Sequence, residues 1–210
     1  MSTAIAFPRR AAAKARTRAR IEAAASRIFA ELGYQDATMA AIAEAADVHV
    51  TTLFTHFRSK RDLLGAVAAA AGDWFETAAA ARRAEGVPAL MFWRDLVARA
   101  AEAYERDGAA QLVLGRALTG EPELLPAWIA HQRRQVAVMT AYIAGDLGVD
   151  AATDRRPQMA AAMLVAGGLM AFDAWLVSGR TGDLMGENAA LLAAAEAVLR
   201  DGVPGIATPQ

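Results

Sequence analysis

Between Thr38 and Lys60 the apolar positions fall into two short helical registers separated by a polar break. Met39, Ile42 and Ala46 recur three to four residues apart, the spacing of one helix face. Thr38 precedes them, and its hydroxyl can accept a hydrogen bond from a free N–H of the first turn. Asp47 interrupts the register. Asp tolerates the left-handed conformation better than most non-glycine residues, so a turn is expected there. His49 to Phe57 then resume as a second short helix with Leu53 and Phe57 on its inner face. The outer face carries His49, Val50, Thr51, Thr55 and His56, which are small, polar or able to touch methyl groups, as a helix in a DNA major groove requires. Arg58, Lys60 and Arg61 follow at once, where phosphates would flank the groove.

The same periodicity extends to both sides. Ile21, Ala25, Ile28, Phe29 and Leu32 make one face of a helix over 14–32 that Gly33 closes, with residues 1–8 as an arm. Downstream, a helix over 59–84 opens with Ser59 as cap and Asp62 three residues on. Its first turns, at Leu63, Leu64 and Val67, belong to the small N-terminal core, whereas Trp74 and Phe75 belong to a larger second one. Pro88 opens a helix to about 106. Further helices are expected over 109–118, 123–146, 154–178 and 183–200, and 201–210 reads as a tail. With β-branched runs scarce, the fold expected is all-α with about nine helices. The domains expected are 1–62 and 63–210.

Phe29 and Gly33-Tyr34, then Thr38, Ile42-Ala43, Ala46-Val48, Thr52-Leu53-Phe54, His56-Phe57, Ser59-Lys60 and Leu63-Leu64 stand in an ordered series. Over residues 16–67 that series resembles the helix-turn-helix of the TetR family of bacterial transcriptional repressors. The chain departs from the family at Asp47, where Gly is usual, and at His49 and Thr51, where Ser and Gly are common. Phe54 replaces a frequent Tyr and lacks the hydroxyl that reaches a phosphate. The resemblance implies an N-terminal three-helix DNA-binding domain and a C-terminal helical domain for effector binding and dimerisation. It implies a homodimer on a palindromic, double-stranded operator. His49, Val50, Thr51 and Thr52 would face base edges, and Thr38, Thr52, His56 and Lys60 would hold phosphates. Phe54 and Thr55 complete the expected DNA-facing set.

Charge supports the same division. The formal net charge is −1, yet residues 1–62 hold 10 Lys+Arg against 6 Asp+Glu, and residues 63–210 hold 12 against 17. Basic charge gathered on one segment is the electrostatic footprint of phosphate binding. Six of those cations lie between Arg9 and Arg20, with no acid among them. That stretch reads equally as a solvated helix start and as an arm touching DNA. Composition, 55% hydrophobic and 21% charged, is globular. The longest uncharged run, Pro157 to Phe172, falls short of the roughly 20 residues of a membrane span. No signal peptide is visible, so a cytoplasmic protein without membrane contact is expected.

No catalytic, metal or cofactor site is expected. The absence of cysteine excludes disulfides, thiolate catalysis and cysteine-ligated zinc. His49 and His56 are too far apart along a helix to share a zinc ion without other ligands, and His131 stands alone. No metalloprotease, P-loop or nucleophile-elbow motif occurs. Two other classes stay open: an enzyme, and a helical adaptor with a non-functional helix-turn-helix. Specific DNA binding separates the first reading from both.

The helices over 154–178 and 183–200 are apolar on more than one side and so must be buried on more than one side. A two-fold, four-helix interface is expected at Met163, Gly167, Met170, Leu191, Leu192 and Val198. Gly167-Gly168 costs about 1 kcal/mol of helix propensity per residue relative to Ala, which close approach of another helix would offset. For the effector, the resemblance implies a cavity lined by Trp74, Phe75, Phe92, Trp128, His131, Tyr142, Met163 and Trp175. Such a lining suits a small, mostly apolar molecule. The sequence does not name it.

Overall fold

The computed structural model describes residues 6–107, 125–179 and 181–202. Among the described residues there are eight helices and no strand. They are α1 (Ala6–Asp36), α2 (Met39–Ala45), α3 (Val50–His56), α4 (Lys60–Ala84), α5 (Ala89–Asp107), α6 (Leu125–Leu147), α7 (Arg156–Val177) and α8 (Leu184–Asp201). The all-α expectation therefore holds. The helix expected over 109–118 and most of the tail lie outside the described residues.

Two element boundaries differ from expectation. Residues 6–8, expected within an arm, are already helical in α1. The Ala- and Arg-rich segment that follows is a strong helix former and carries the helix backwards. At the other end, Gly33 breaks the helix with φ 77° and ψ 170°, after which one further helical turn, Tyr34–Asp36, resumes. Only glycine adopts that conformation without strain.

The chain divides into two compact units. The first extends to Ala70, past the boundary expected at 62/63, and the second takes up residues 71–106 and those from Trp128 onward. In the first unit, α1 to α3 and the start of α4 enclose Ile21, Ala25, Phe29, Ile42, Leu53, Phe57, Leu63 and Leu64, all 0% exposed. Ser59 caps α4 by accepting from Asp62 N–H at 3.1 Å, and the Asp62 carboxylate accepts from Arg58 N–H at 2.9 Å. The pair forms a reciprocal cap one residue longer than a capping box.

In the second unit, α6 supplies polar ties that no local pattern announces. Asp146 Oδ2 accepts from Ala89 N–H at 2.6 Å and so caps α5. Tyr142 donates its hydroxyl to Val87 O at 2.6 Å. Arg134 pairs with Glu76 and with Asp73 of α4. The α7–α8 pair is built on close approach: a Cβ on Gly167 would stand 2.5 Å from Leu191 Cδ2, and one on Gly168 would stand 2.6 Å from Trp93 Cζ2. Trp93 Nε1–H donates to Oδ1 of Asn188, a buried amide 1% exposed. Asp183 caps α8, accepting from Gly186 N–H at 2.8 Å.

The uncharged run is short, but the helix that contains it is not. By length and composition Arg156–Trp175, mean hydropathy 1.2, suffices to cross a bilayer. Its apolarity has a local cause: one side faces Leu191 and Trp93, while Met170 and Val177 stay 72% and 66% exposed.

Candidate nucleic-acid interface and effector region

The reader is assembled from α2, the turn and α3. Thr38 has extended dihedrals, φ −110° and ψ 150°, and its Oγ1 accepts from Ala41 N–H at 3.1 Å. The cap uses a lone pair and leaves the hydroxyl hydrogen for an outside acceptor such as a phosphate. At the other end of α2, Val48 N–H donates to Ala43 O and Asp47 N–H to Glu44 O, the paired bonds of a Schellman termination. Asp47 occupies its left-handed position at φ 51°, where glycine is usual. Arg20 of α1 braces this turn, donating from Nη2 to Ala46 O at 2.7 Å and to Asp47 O at 2.6 Å.

His49 is the N-cap of α3. Its Nδ1 lies 2.8 Å from Thr51 Oγ1 and accepts from Thr51 N–H at 3.4 Å. An accepting Nδ1 puts the proton of the neutral ring on Nε2. Leu53 and Phe57 are fully buried, whereas Thr51, Phe54 and Thr55 are exposed, Phe54 by 50%. The three exposed residues recur at i, i+3 and i+4, one face of the helix. Val50, Thr52 and His56 are half-buried at its flanks. Thr55 donates its hydroxyl to Thr52 O at 2.6 Å, so toward solvent it offers acceptor lone pairs. Burial first, then the charges of Lys14 and Arg18, holds the His56 imidazolium below its ordinary range.

Lys60 is placed differently from expectation. Its ammonium is not turned out to a phosphate but donates to Tyr34 O, Gln35 O and Ala37 O, at 2.5, 3.0 and 2.9 Å. It also lies 4.5 Å from the centre of the Tyr34 ring. Arg18 is likewise engaged, 4.4 Å over the Phe57 ring and paired with Glu22 at 2.9 Å. Sequence reasoning assigned no such role to Arg18, Arg20 or Tyr34, because Phe57, the Ala46 and Asp47 carbonyls and Lys60 lie far along the chain from them.

The expected effector lining does not form one wall. Phe75, Phe92 and Tyr142 are 2%, 4% and 2% exposed, with successive ring centroids 5.7 Å apart. They are tightly placed core, and the Tyr142 hydroxyl is committed to Val87. Trp128 stacks on His131 at 6.0 Å, and Trp175 lies 5.4 Å from Phe172. Met163 is half-buried, and Trp74 is 50% exposed, on a different side of α4 from Phe75. An open groove of about 830 Å³ runs along another face of α6, past Ile129, Gln132, Val136, Thr140 and Gln158. None of the eight expected residues lines it.

Of the expected dimer residues, Met170 is exposed, and Met163, Leu191, Leu192 and Val198 are half-buried. Gly167 is accounted for inside the chain, because its close neighbour is Leu191 of the same molecule. Among the described residues no three metal-ligating side chains gather.

Residues 21–67 match the family described as bacterial regulatory proteins, tetR family. Over 171 residues the chain is 29% identical to the HTH-type transcriptional regulator TcmR of Streptomyces glaucescens, covering 79% of this chain and 76% of that protein. Residues 21–67 thus carry the TetR-family N-terminal segment, and the wider chain is similar to a transcriptional regulator. Solved TetR-type structures share the fold. GusR of Salmonella enterica is similar with a TM-score of 0.63 and 25% identity, covering 88% of this chain and 95% of that one. SmeT, the repressor of a multidrug efflux pump in Stenotrophomonas maltophilia, matches in its triclosan complex with a TM-score of 0.68 and 22% identity. That match covers 92% of this chain and 97% of SmeT.

Proposed function

We propose that this regulator acts as a repressor: a cytoplasmic homodimer that holds a palindromic operator and leaves it when a small, mostly apolar effector binds. The observation that carries the DNA-binding reading is α3 itself. Leu53 and Phe57 anchor it while Thr51, Phe54 and Thr55 present an uninterrupted exposed face beside Arg58. Hydroxyls and an aromatic edge can meet base edges and thymine methyls. His49, Val50 and Thr52 join that set at the start of the helix, and Thr38 and His56 take phosphates.

Two-fold symmetry follows from reading a palindrome. The exposed apolar residues Met170 and Val177 of α7 offer the surface for it. Effector binding is supported by the aromatic content of the second unit, with Trp128, His131 and Trp175 as the contacts of choice. Thermodynamically the effector must prefer the form that cannot hold DNA, and operator must weaken effector binding by the same factor.

The test is fluorescence anisotropy of the full chain with its own upstream DNA and with scrambled DNA across a salt series. A specific complex whose base preference changes in Thr51→Ala is expected. Equal binding to both DNAs at every salt would refute the reading. A thermal-shift screen with small apolar compounds, followed by release of the DNA, tests the effector half.

A further inference from the structure

The reader's orientation is fixed by two cations seated on helix ends. Carbonyls at a helix C-terminus carry the negative end of the macrodipole and lack intrahelical partners, so a cation there is stabilised. Arg20 of α1 takes the carbonyls of Ala46 and Asp47, at the entry to α3. Lys60, first residue of α4, takes those of Tyr34, Gln35 and Ala37, at the end of α1 and just beyond it. An ammonium has three donors, and here three carbonyls use them. The Tyr34 ring closes a further side of the charge at 4.5 Å. Between these anchors α3 is only 7 residues long, too short to hold itself as a helix in water.

We propose that Lys60 is a positioning residue of the DNA reader and not a phosphate contact. It fixes the exit of α3 against the end of α1, as Arg20 fixes its entry. The inference rests on the DNA-binding reading above, and it separates two roles that a basic residue after a recognition helix can have. A phosphate contact contributes to the salt dependence of binding. A positioning residue acts mainly through short-range geometry within the protein, so its loss lowers affinity at every salt and alters the salt slope far less than loss of a phosphate contact does.

The full-length protein, Lys60→Ala and Lys60→Arg are compared by anisotropy on the upstream DNA over a salt series, at a temperature where circular dichroism shows each folded. Lys60→Ala should lose affinity about tenfold or more through its lost charge-assisted bonds, with the slope of log K against log salt falling by far less than about 0.9 per half-site. Lys60→Arg should also lose affinity, because a planar guanidinium cannot direct three N–H groups from one nitrogen to three carbonyls. A slope shallower by about 0.9 per half-site, with Lys60→Arg near wild type, would establish a phosphate contact and overturn the proposal. Unchanged affinity in folded variants with only a lower melting temperature would overturn it as well.

Tyr34→Leu, which keeps the charge and all three carbonyls, serves if Lys60→Ala does not fold. It should weaken binding with no change of slope, and unchanged affinity in it counts against the proposal. Amide exchange over 50–57 in the DNA-free protein gives an independent readout. It should quicken by about tenfold in Lys60→Ala, or in Tyr34→Leu by less, and unaltered protection would refute the positioning role whether or not DNA binds. A wild-type chain that ignores DNA sequence would sink the function proposed above, and the exchange result would still decide the role of Lys60.

Discussion

Adjacent glycines in α7 should respond differently to the same substitution. Either Gly→Ala change gains about 1 kcal/mol of helix propensity. At Gly167 the added Cβ would come 2.5 Å from Leu191 Cδ2, the far end of a flexible side chain that is half-buried. A rotamer adjustment relieves that contact for about 0.5–1.5 kcal/mol, so Gly167→Ala should be near neutral. At Gly168 the Cβ would meet Trp93 Cζ2 at 2.6 Å. That ring is rigid, 6% exposed and tied by its N–H to the buried Asn188. Overpacking there costs about 1–3 kcal/mol. If the indole turns away, the Asn188 amide loses its partner for about 1–3 kcal/mol more. The net expectation for Gly168→Ala is a loss of about 0–2 kcal/mol, rising to about 1–5 kcal/mol if the indole turns away, and for a chain of this size each kcal/mol moves the midpoint by about 2–4 °C. Thermal unfolding followed by tryptophan fluorescence reads both the midpoint and the Trp93 environment. Equal midpoints for the two variants, or a stabilised Gly168→Ala, would refute the packing argument.

Three further outcomes follow from the geometry. His56 takes up its proton at lower pH folded than unfolded, so stability is whole above about pH 6.5 and declines as pH falls from there to the folded value. Urea denaturation should show that decline reduced in His56→Gln, and an identical decline in both proteins would contradict it. Met170→Glu with Val177→Glu should convert a dimer to monomers in light scattering; a wild-type monomer at micromolar concentration removes the interface altogether. Thr38→Ala should cost about 1 kcal/mol through the lost cap of α2, and unaltered stability to urea would show that the 3.1 Å bond contributes nothing.

The sequence reading succeeded where a residue's role is local. Thr38 as a cap, Asp47 with φ above zero, Ser59 with Asp62, and the burial of Leu53 and Phe57 each depend on neighbours within a few positions. It did not reveal partners that are remote. Lys60 lies 23 to 26 residues from the carbonyls it holds, and Ala89 lies 57 from the carboxylate that caps it. The glycine pair illustrates both outcomes. Close helix approach was legible in Gly167-Gly168, but whether the approaching group came from the same molecule was not. It comes from Leu191 and Trp93 of this chain. Likewise an aromatic-rich region announces apolar burial without saying whether the rings surround a space or fill it, and Phe75, Phe92 and Tyr142 fill it.

Net charge also changes meaning once the cations are placed. The basic surplus of residues 1–62 gives the reader a positive field, and a field depends on charge whether or not its donors are engaged. Direct phosphate contact depends on unengaged donors. Lys60 has spent its three on carbonyls, and Arg18 sits over Phe57 while paired with Glu22. These cations can draw DNA toward the reader without being the groups that grip it. On the proposed DNA-binding reading, grip would fall to groups with donors to spare, such as the Thr38 hydroxyl, and to the backbone that the internal cations hold in place. A basic segment can therefore owe its association rate to all its charges and its specificity to a reader that some of those charges exist to orient.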